Sequence, residues 1–382
     1  MTLLMVKYFR KLSLLLGSFL MLQIAFAQRN WNGYGLELNA MQARVFKHTE
    51  AFKAPIPASS PLIELHLVHK TRGEQPWHPL RHFPQIGIGF SYTHYGLDSI
   101  YGRGYSMYPT LQYRIAEKKA WSWTYRMGLG VGYLSKKFER YNTWDTLNNM
   151  IGSGFNIYFM AVTDLRYAIN PHWDIQAGLQ FTHFSNAATL KPNLGINTYG
   201  FHLGVRYFPI IEDKRVTIGK DAAPQLLDNK KVWNFRLAYA INQSGSGDGP
   251  LYGVYHTSLM RSKYYRHKNK VFGGVDFTYH KRIYAFLRNN EIYPGEERSH
   301  SYNASLFLGN TFLFGRIGFQ IQSGVYIKNA YLHDEPWYQK FGFEYYVMQH
   351  PKGFLKELAI SGLIKTHINK AELLEWGLNC GF

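Results

Sequence analysis

Two side chains that could act as nucleophile and base, Ser185 and His183, stand two residues apart in a segment that alternates between polar and apolar positions. Successive side chains of a β-strand leave opposite faces, so residues two apart share one face and can hydrogen-bond. Asn197 occupies an odd position of the next alternating segment, and a hairpin between the two segments would bring it to that face. A serine, a histidine and an orienting group are what nucleophilic acyl transfer requires.

The elements that position these residues have a period of two. Segments 85–95, 121–135 and 173–185 each place aromatic and aliphatic residues on one face and Gly, Ser, Thr, Gln or charged residues on the other. This alternation predicts β-strands and an all-β fold. In 173–185 the odd positions are apolar from Trp173 to Phe181. His183 and Ser185 therefore continue the apolar face.

The strands are predicted to cross a membrane as an antiparallel β-barrel. The three segments have 11 to 15 residues, whereas about 5–6 is usual in soluble sheets and about 9–11 are needed to cross a membrane. The face rich in Gly, Gln and Asn is typical of a barrel lumen. About eight strands fit between Gly33 and Pro209, and six to eight more follow the polar connector Ile210–Lys230. We therefore expect one transmembrane barrel of about 14–16 strands, since even counts are the rule.

The N-terminus indicates export. Residues 1–27 combine basic residues, an apolar run and the site Ala25-Phe26-Ala27, which is the pattern of a cleaved signal peptide. We expect a mature chain of residues 28–382 in the outer membrane of a Gram-negative bacterium. The chain has 43 Lys+Arg against 25 Asp+Glu, a net charge of +18. Export and the 17% aromatic content nevertheless argue against a nucleic-acid partner.

Short and long links between strands alternate, as in barrels with short periplasmic turns and long external loops. The link 187–195 then falls on the external side, and the trio Ser185, His183 and Asn197 faces lipid beside it. Polar groups on a lipid face are costly. One interpretation is a catalytic site directed at a lipid, and the other is a set of interfacial polar residues where the strand leaves the membrane. The residues alone leave both open.

The segment FTHFSNAATLKPNLGIN, residues 181–197, resembles the active-site region of the lipid A 3-O-deacylase family of outer-membrane barrels, which is grouped with the acyloxyacyl hydrolases. The matching pattern is F-x-H-x-S-N-A followed by N-x-G-I. A weaker resemblance extends over residues 33–209, which leaves 231–382 as additional strands of the barrel. The resemblance implies that Ser185 is the nucleophile, His183 its base and Asn186 part of the oxyanion hole.

The resemblance also implies a substrate and reveals one departure. The substrate would be the ester-linked acyl chain at the 3 position of lipid A, in the outer leaflet. The acid of the family is a glutamate that falls at position 197, where this chain has Asn197. An amide oxygen can hold the imidazole in one tautomer, but it cannot stabilise the imidazolium by charge. Asn197 is therefore expected to orient His183.

Basic residues of the external loops are candidates for binding the phosphates of lipopolysaccharide, namely Lys136, Lys137, Arg140 and Lys191. Ordinary solvated turns are the alternative. The single cysteine, Cys380, excludes a disulfide framework and a Cys-based zinc site, and the zinc-protease spacing H-E-x-x-H does not occur. No metal or cofactor is expected. His367 and Glu375, on the lumenal face of the last hairpin, are expected to be structural.

The sequence thus predicts an outer-membrane serine esterase, a carboxylic ester hydrolase that removes a 3-O-acyl chain from lipid A. The competing prediction is a non-catalytic barrel, a channel or structural protein, that retains the motif without turnover.

Overall fold

The fold is all-β, as predicted, and the described part of the chain forms sixteen strands in two closed antiparallel barrels. The computed structural model describes residues 31–140, 147–210, 230–245, 247, 249–350, 352–368 and 370–382. The predicted signal peptide, residues 1–27, lies outside the described residues, as does most of the connector 210–230. No helix in the described ranges is both long and apolar enough to span a membrane.

Barrel one comprises β1 to β8. Its strands are β1 (Tyr34–Val45), β2 (Leu62–Lys70), β3 (Gln85–His94), β4 (Arg103–Lys118), β5 (Trp121–Leu134), β6 (Phe155–Ala168), β7 (Trp173–Ser185) and β8 (Ile196–Tyr207). A short helix, α1 (Trp77–Leu80), lies between β2 and β3. The barrel closes where β1 pairs with β8, for example Leu38 with Val205.

Barrel two comprises β9 to β16. Its strands are β9 (Lys231–Gln243), β10 (Leu251–Tyr265), β11 (Asn269–His280), β12 (Tyr302–Phe314), β13 (Ile317–Lys328), β14 (Trp337–Gln349), β15 (Glu357–His367) and β16 (Lys370–Gly381). Helix α2 (Lys281–Asn289) and a 3-10 turn (Ser299–Ser301) follow β11. The barrel closes where β16 pairs with β9, for example Leu378 with Leu237.

The expectation of one barrel is therefore wrong, although the total of sixteen strands lies within the expected 14–16. Alternation along a strand reports which residues face inward, because it depends only on the local backbone. It carries no information about which distant strand supplies the hydrogen bonds of β1 or β9. When each set of eight strands closes on itself, the backbone N–H and C=O groups of its first and last strands pair with each other. No single sixteen-stranded barrel is needed to satisfy them.

The strands of both barrels are apolar outside and polar inside, as the alternation predicts. In β5, Trp121, Trp123 and Val131 are exposed, whereas Thr124 and Arg126 are buried. The strand also carries glycines on its inner face, because large rings from nearby strands fill that space. Phe184 is such a ring, and a side chain at Gly132 would collide with it.

The lower interior of barrel one is filled by paired charges. The fully buried Arg126 donates to Glu37 at 2.8 Å and to Glu64 at 2.6 Å, and Arg166 donates to Glu37 at 3.2 Å. Each buried charge thus has an opposite charge, which the low dielectric of an interior requires. Tyr108, which donates to Glu64, begins an apolar layer above this network. That layer includes Phe184 and supports the end of β7 from inside.

Barrel two has a similar interior. Glu375 accepts from Arg236 at 2.7 Å and lies 3.0 Å from the Lys340 ammonium, which is also 3.1 Å from Asp276. Glu375 is fully buried on the lumenal side, as predicted. His367 lies 3.6 Å from Glu372, which precedes Glu375 by three residues on β16. These ion pairs share the interior with small apolar clusters, such as that of Met260, Phe272 and Phe307.

The two barrels contact each other at both ends. We call the end that carries residues 46–61, 95–102, 135–140, 147–154 and 186–195 of barrel one the upper rim. At the lower end, Arg81 donates to the carbonyl oxygens of Lys268 and of Leu313, the latter at 3.2 Å, and the Trp77 ring packs edge-on against Phe314. At the upper rim the β7–β8 loop hydrogen-bonds to the end of β9.

Candidate active site

Ser185, His183 and Asn197 lie together on the outer face of the β7–β8 hairpin, just below the upper rim. His183 and Asn197 are directly opposite each other in the strand register. The Asn197 carboxamide oxygen lies 2.5 Å from Nδ1 of His183, which is a short hydrogen bond. Even-numbered neighbours such as Phe184 point into the barrel. The alternation therefore predicted the face of all three residues.

The contact with Asn197 determines which nitrogen of His183 can act as a base. Oδ1 of Asn197 only accepts, so Nδ1 of the imidazole carries the proton and Nε2 has the free lone pair. Nε2 is the atom that a base beside Ser185 would use. Asn197 is 7% exposed, so water competes little for this hydrogen bond.

The Ser185 hydroxyl is surrounded by groups of the β7–β8 loop. Its Oγ donates to Oδ1 of Asn193 at 3.2 Å, receives a hydrogen bond from Nδ2 of the same residue at 3.1 Å, and accepts from the backbone N–H of Ala187 at 3.2 Å. In the part of the chain that the structure describes, no hydrogen bond joins Ser185 to His183. Ser185 thus lies beside two N–H donors. It is two residues from His183 along β7, on the same face of the strand.

The loop after Ser185 is shaped by backbone conformations that side chains seldom adopt. Ala187 and Ala188 have φ of 50° and 59°, and Gly195 has φ of 79°. A Cβ at Gly195 would lie 2.8 Å from Cε1 of His183. Glycine is therefore required here both for its conformation and because the imidazole packs against its backbone. This explains the glycine of the N-x-G-I pattern.

Asn186, the residue expected in the oxyanion hole, is engaged elsewhere in the structure. Its side chain is 6% exposed and donates to Oγ of Ser153 at 2.9 Å. Its backbone N–H donates to Oδ1 of Asn193 at 2.9 Å. The amide side chain that reaches Ser185 is that of Asn193. The sequence motif contained Asn193, but spacing along a loop does not report which side chain folds back onto the nucleophile.

The β1–β2 link covers the His183–Asn197 pair. No pattern in the sequence connected this link with the site. The backbone N–H of Phe46 donates to the carbonyl oxygen of Asn197 at 3.1 Å, and its ring packs edge-on against Tyr199 at 5.7 Å. Nε2 of His48 lies 2.9 Å from the carbonyl oxygen of Leu194. The cover shields the polar pair on a face that is otherwise apolar.

The predicted basic residues lie on two neighbouring links of the upper rim. Lys136, Lys137 and Arg140 are exposed on the β5–β6 link, and Lys191 is half-buried on the β7–β8 loop. The two links pack together, since the N–H of Gly152 donates to the carbonyl oxygen of Pro192 at 2.7 Å. Of the four residues, Lys191 is on the same loop as Ser185. Burial and the charge of Arg282 lower the pKa of its ammonium.

A cluster of His280, His333 and Glu372 in barrel two places one ligand atom of each residue within 4.8 Å of the others. The lone pairs are already engaged: Nδ2 of Asn303 lies 3.1 Å from Nε2 of His280 and 3.0 Å from Nδ1 of His333. Lys365 lies 2.9 Å from the Glu372 carboxylate and compensates its charge. The cluster thus forms a charged network in the lumen of barrel two.

Comparisons with known proteins match one family model to most of barrel one and another to barrel two. Residues 62–206 match the model of the family described as lipid A 3-O-deacylase, and residues 231–382 match that of the acyloxyacyl hydrolase C-terminal domain. No curated protein matches.

Solved structures are similar at low identity. Neisserial surface protein A is 12% identical, with 46% of this chain and 97% of that chain covered and a TM-score of 0.33. The outer membrane enzyme PagL is 18% identical, with 46% and 99% covered and a TM-score of 0.28. A mutant of the TodX monoaromatic hydrocarbon channel is 10% identical, with 91% and 88% covered and a TM-score of 0.19. Strands β2 to β8 of barrel one thus match the lipid A 3-O-deacylase family, and barrel two matches the acyloxyacyl hydrolase C-terminal domain.

Proposed function

We propose that this protein is an outer-membrane serine esterase that removes the 3-O-linked acyl chain from lipid A. The observation that carries the proposal is the position of Ser185, His183 and Asn197 on an outer, apolar barrel face, directly below the upper rim. A soluble esterase would place such groups in a cleft open to water. On this face they meet a substrate whose ester bonds lie between headgroup and hydrocarbon.

Membrane insertion is supported by the outer surface of both barrels. Every strand carries large apolar side chains on its outer face. Examples are Leu65, Trp123 and Leu203 on barrel one and Leu237 and Trp376 on barrel two. Closed barrels can lie in lipid because all backbone groups of the strands are paired. We assign the upper rim to the outer leaflet because it carries the long links, as in barrels of this kind. Lipid A then reaches Ser185 laterally.

In the proposed reaction, Nε2 of His183 takes the proton from Oγ of Ser185 as the oxygen attacks the acyl carbonyl carbon. Asn197 holds Nδ1 and thereby the orientation of the ring. The tetrahedral intermediate collapses when the sugar oxygen leaves with the proton from His183. A water molecule, deprotonated by the same nitrogen, then attacks the acyl-serine; Oγ of Ser185 leaves with that proton, and a 3-hydroxy fatty acid is released.

The negative oxygen of the tetrahedral intermediate requires donors beside Ser185. Nδ2 of Asn193 and the backbone N–H of Ala187 already point at Oγ, and a small shift would direct both at the carbonyl oxygen. Asn186 was the residue expected from the family motif. Its backbone N–H holds Asn193 in place, so in this proposal it acts on the oxyanion through Asn193.

A non-catalytic barrel is the second candidate, and two observations favour it. The acid of the triad is replaced by Asn197, and the Ser185 hydroxyl is bonded to Asn193 rather than to the base. Such a barrel would retain the shape of the site without turnover. Measured activity separates the two candidates.

The test is mass spectrometry of lipid A from Gram-negative cells that produce the protein. Wild type should remove one 3-O-linked hydroxyacyl chain, and Ser185→Ala should remove none. Ser323→Ala is the matched control, because Ser323 also lies on the outer face of a strand but in barrel two; it should behave as wild type. Unaltered lipid A in cells with wild-type protein in the membrane, or continued deacylation by Ser185→Ala, contradicts the proposal.

A further inference from the structure

The outer face of barrel two carries a continuous row of aromatic rings near its upper end, the end at which β9 contacts the β7–β8 loop of barrel one. Five neighbouring strands contribute one ring each. Every ring is directly opposite the next in the strand register, in the order Trp376, Tyr239, Tyr255, Tyr279 and Tyr302. Aromatic rows of this kind lie at the level of lipid headgroups. We call these five residues the aromatic row.

Below the aromatic row lies a groove of about 1000 Å³. Its floor is formed by the next outward-facing residues of the same strands, which pair in the order Leu378, Leu237, Thr257 and Phe277. Thr257 is the smallest of these four and leaves a depression between Leu237 and Phe277. The Tyr239 ring leans away from the floor toward Gly253, where a Cβ would lie 2.9 Å from it. Ligand sites have volumes of about 300–1,000 Å³, so this apolar groove has room for hydrocarbon chains.

Two lysines lie over rings of the aromatic row. Nζ of Lys281, the first residue of α2, is 5.2 Å from the centre of the Tyr255 ring, and Nζ of Lys328 is 3.8 Å from the centre of the Tyr302 ring. The two rings are two strands apart, which is about 10 Å. Across the ranges that the structure describes, no carboxylate forms an ion pair with either lysine. Uncompensated positive charge therefore lines the upper edge of the groove and attracts an anion.

The outward position of Lys328 depends on a bulge in β13. Ala304 of β12 pairs with Lys328, but the next residue, Ser305, pairs with Tyr326, so β13 contains one extra residue. Tyr326 points into the lumen, where its hydroxyl is 2.9 Å from Nε2 of His367. Residues two apart in a regular strand share a face, so without the bulge Lys328 would also point inward. Nζ of Lys328 also donates to the carbonyl oxygen of Ser299 at 2.6 Å, which holds it over the row.

We propose that the groove and the two lysines bind a second lipid A molecule, distinct from the one whose ester meets Ser185. The occupant must supply hydrocarbon to the groove and negative charge at its upper edge, and a phosphorylated lipid of the outer leaflet supplies both. Its acyl chains lie against Thr257, and its phosphates lie between Lys281 and Lys328. The inference rests on the membrane orientation in the proposed function but not on the reaction, and it gives barrel two a role in lipid binding.

The test counts bound lipid, so it does not depend on turnover. In a Ser185→Ala background, native mass spectrometry gives the number of lipid A molecules bound per protein in neutral detergent. Thr257→Phe places a ring in the groove and should bind one molecule fewer. Ser323→Phe is the matched control, because it adds the same ring to the exposed outer face of β13, outside the groove; its count should equal that of the background.

A second pair of variants tests the headgroup contact. Lys328→Ala should weaken binding of this lipid A molecule about tenfold, since it removes one charge-assisted contact. It should not change the affinity for lipid A from which the phosphates have been removed. Lys352→Ala is the control, because Lys352 is exposed in the turn between β14 and β15 at the opposite end of the barrel, and it should bind as the background.

Several results would overturn the inference. An unchanged count in Thr257→Phe, or the same reduction in Ser323→Phe, would mean that the groove holds no lipid. Equal losses for Lys328→Ala and Lys352→Ala would indicate diffuse charge, and equal affinity for phosphatidylglycerol would indicate a site for any anionic lipid. A protein dimer that Thr257→Phe disrupts would identify a second copy of the chain as the occupant. If the second lipid A binds as expected but wild type releases no acyl chain, this site stands and the proposed esterase function fails.

Discussion

Replacing Asn197 by aspartate should accelerate the enzyme. The carboxamide oxygen is 2.5 Å from Nδ1 of His183, and aspartate has the same shape, so its carboxylate would occupy the same place. When His183 takes the proton from Ser185, the new charge and the carboxylate would be separated by about 4 Å between centres, which is worth about 4 kcal/mol at an effective dielectric constant of about 20. The aspartate carboxylate is desolvated in the ground state and in the transition state alike. Its desolvation energy therefore lowers the stability of the protein and not the rate of the reaction.

An energy of about 4 kcal/mol corresponds to about a thousandfold in rate, and the incomplete proton transfer in the transition state reduces it. We therefore expect kcat to rise by about 10²- to 10³-fold in Asn197→Asp, in line with the penalty of acid-to-amide exchange in serine enzymes. Asn197→Ala should lower kcat about tenfold, because one orienting hydrogen bond is worth about 1 kcal/mol and is strengthened by the imidazolium charge.

The assay is the initial rate of fatty acid release from lipid A in mixed micelles, followed by mass spectrometry. Thr198→Ala is the control, since Thr198 bonds Thr182 at 2.5 Å on the inner face of the same two strands. It removes a comparable cross-strand hydrogen bond away from the imidazole and should leave kcat unchanged. If Asn197→Asp were no faster than wild type while Asn197→Ala matched wild type, Asn197 would not orient the base, and the reasoning would be refuted.

Two further predictions concern the loop and the interior. Gly195→Ala should lower kcat about a hundredfold, because the added methyl group would displace the His183 ring by up to about 1 Å. Gly295→Ala, with φ of 86° but nothing within 4 Å, should bear the same backbone strain with no loss of activity, and equal losses would contradict the steric argument. Arg126→Leu should destabilise the protein by about 3–5 kcal/mol, since it leaves buried carboxylates unpaired, whereas Arg114→Leu, at an exposed ion pair, should cost under about 1 kcal/mol. Urea unfolding in detergent micelles measures both, and similar losses would contradict the assignment of the buried network.

The predicted faces of the strands were confirmed because they depend on local geometry alone. Arg126 points inward and Trp123 outward in the structure, as the alternation in β5 required. The outward position of His183 and Ser185 follows from the same period. Any pairing partner, and any size of barrel, would leave these assignments unchanged.

The contacts that complete the site could not be predicted in this way. Asn193 reaches Ser185 because the loop turns back through residues with positive φ, and Phe46 covers Asn197 from a link about 150 residues earlier in the chain. Both contacts depend on how loops close over the rim. Loop closure is governed by packing between distant segments, which no local pattern reports.

The sequence by itself determined that the chain folds as antiparallel strands with an apolar outer face, and that a serine, a histidine and an asparagine share that face. It did so because strand periodicity is a property of the covalent backbone. Only the tertiary structure decided that the sixteen strands close as two barrels rather than one, since the hydrogen-bond partners of β1 and β9 are distant in sequence. That division creates the junction where the backbone of Lys191 meets Gln243 of the second barrel.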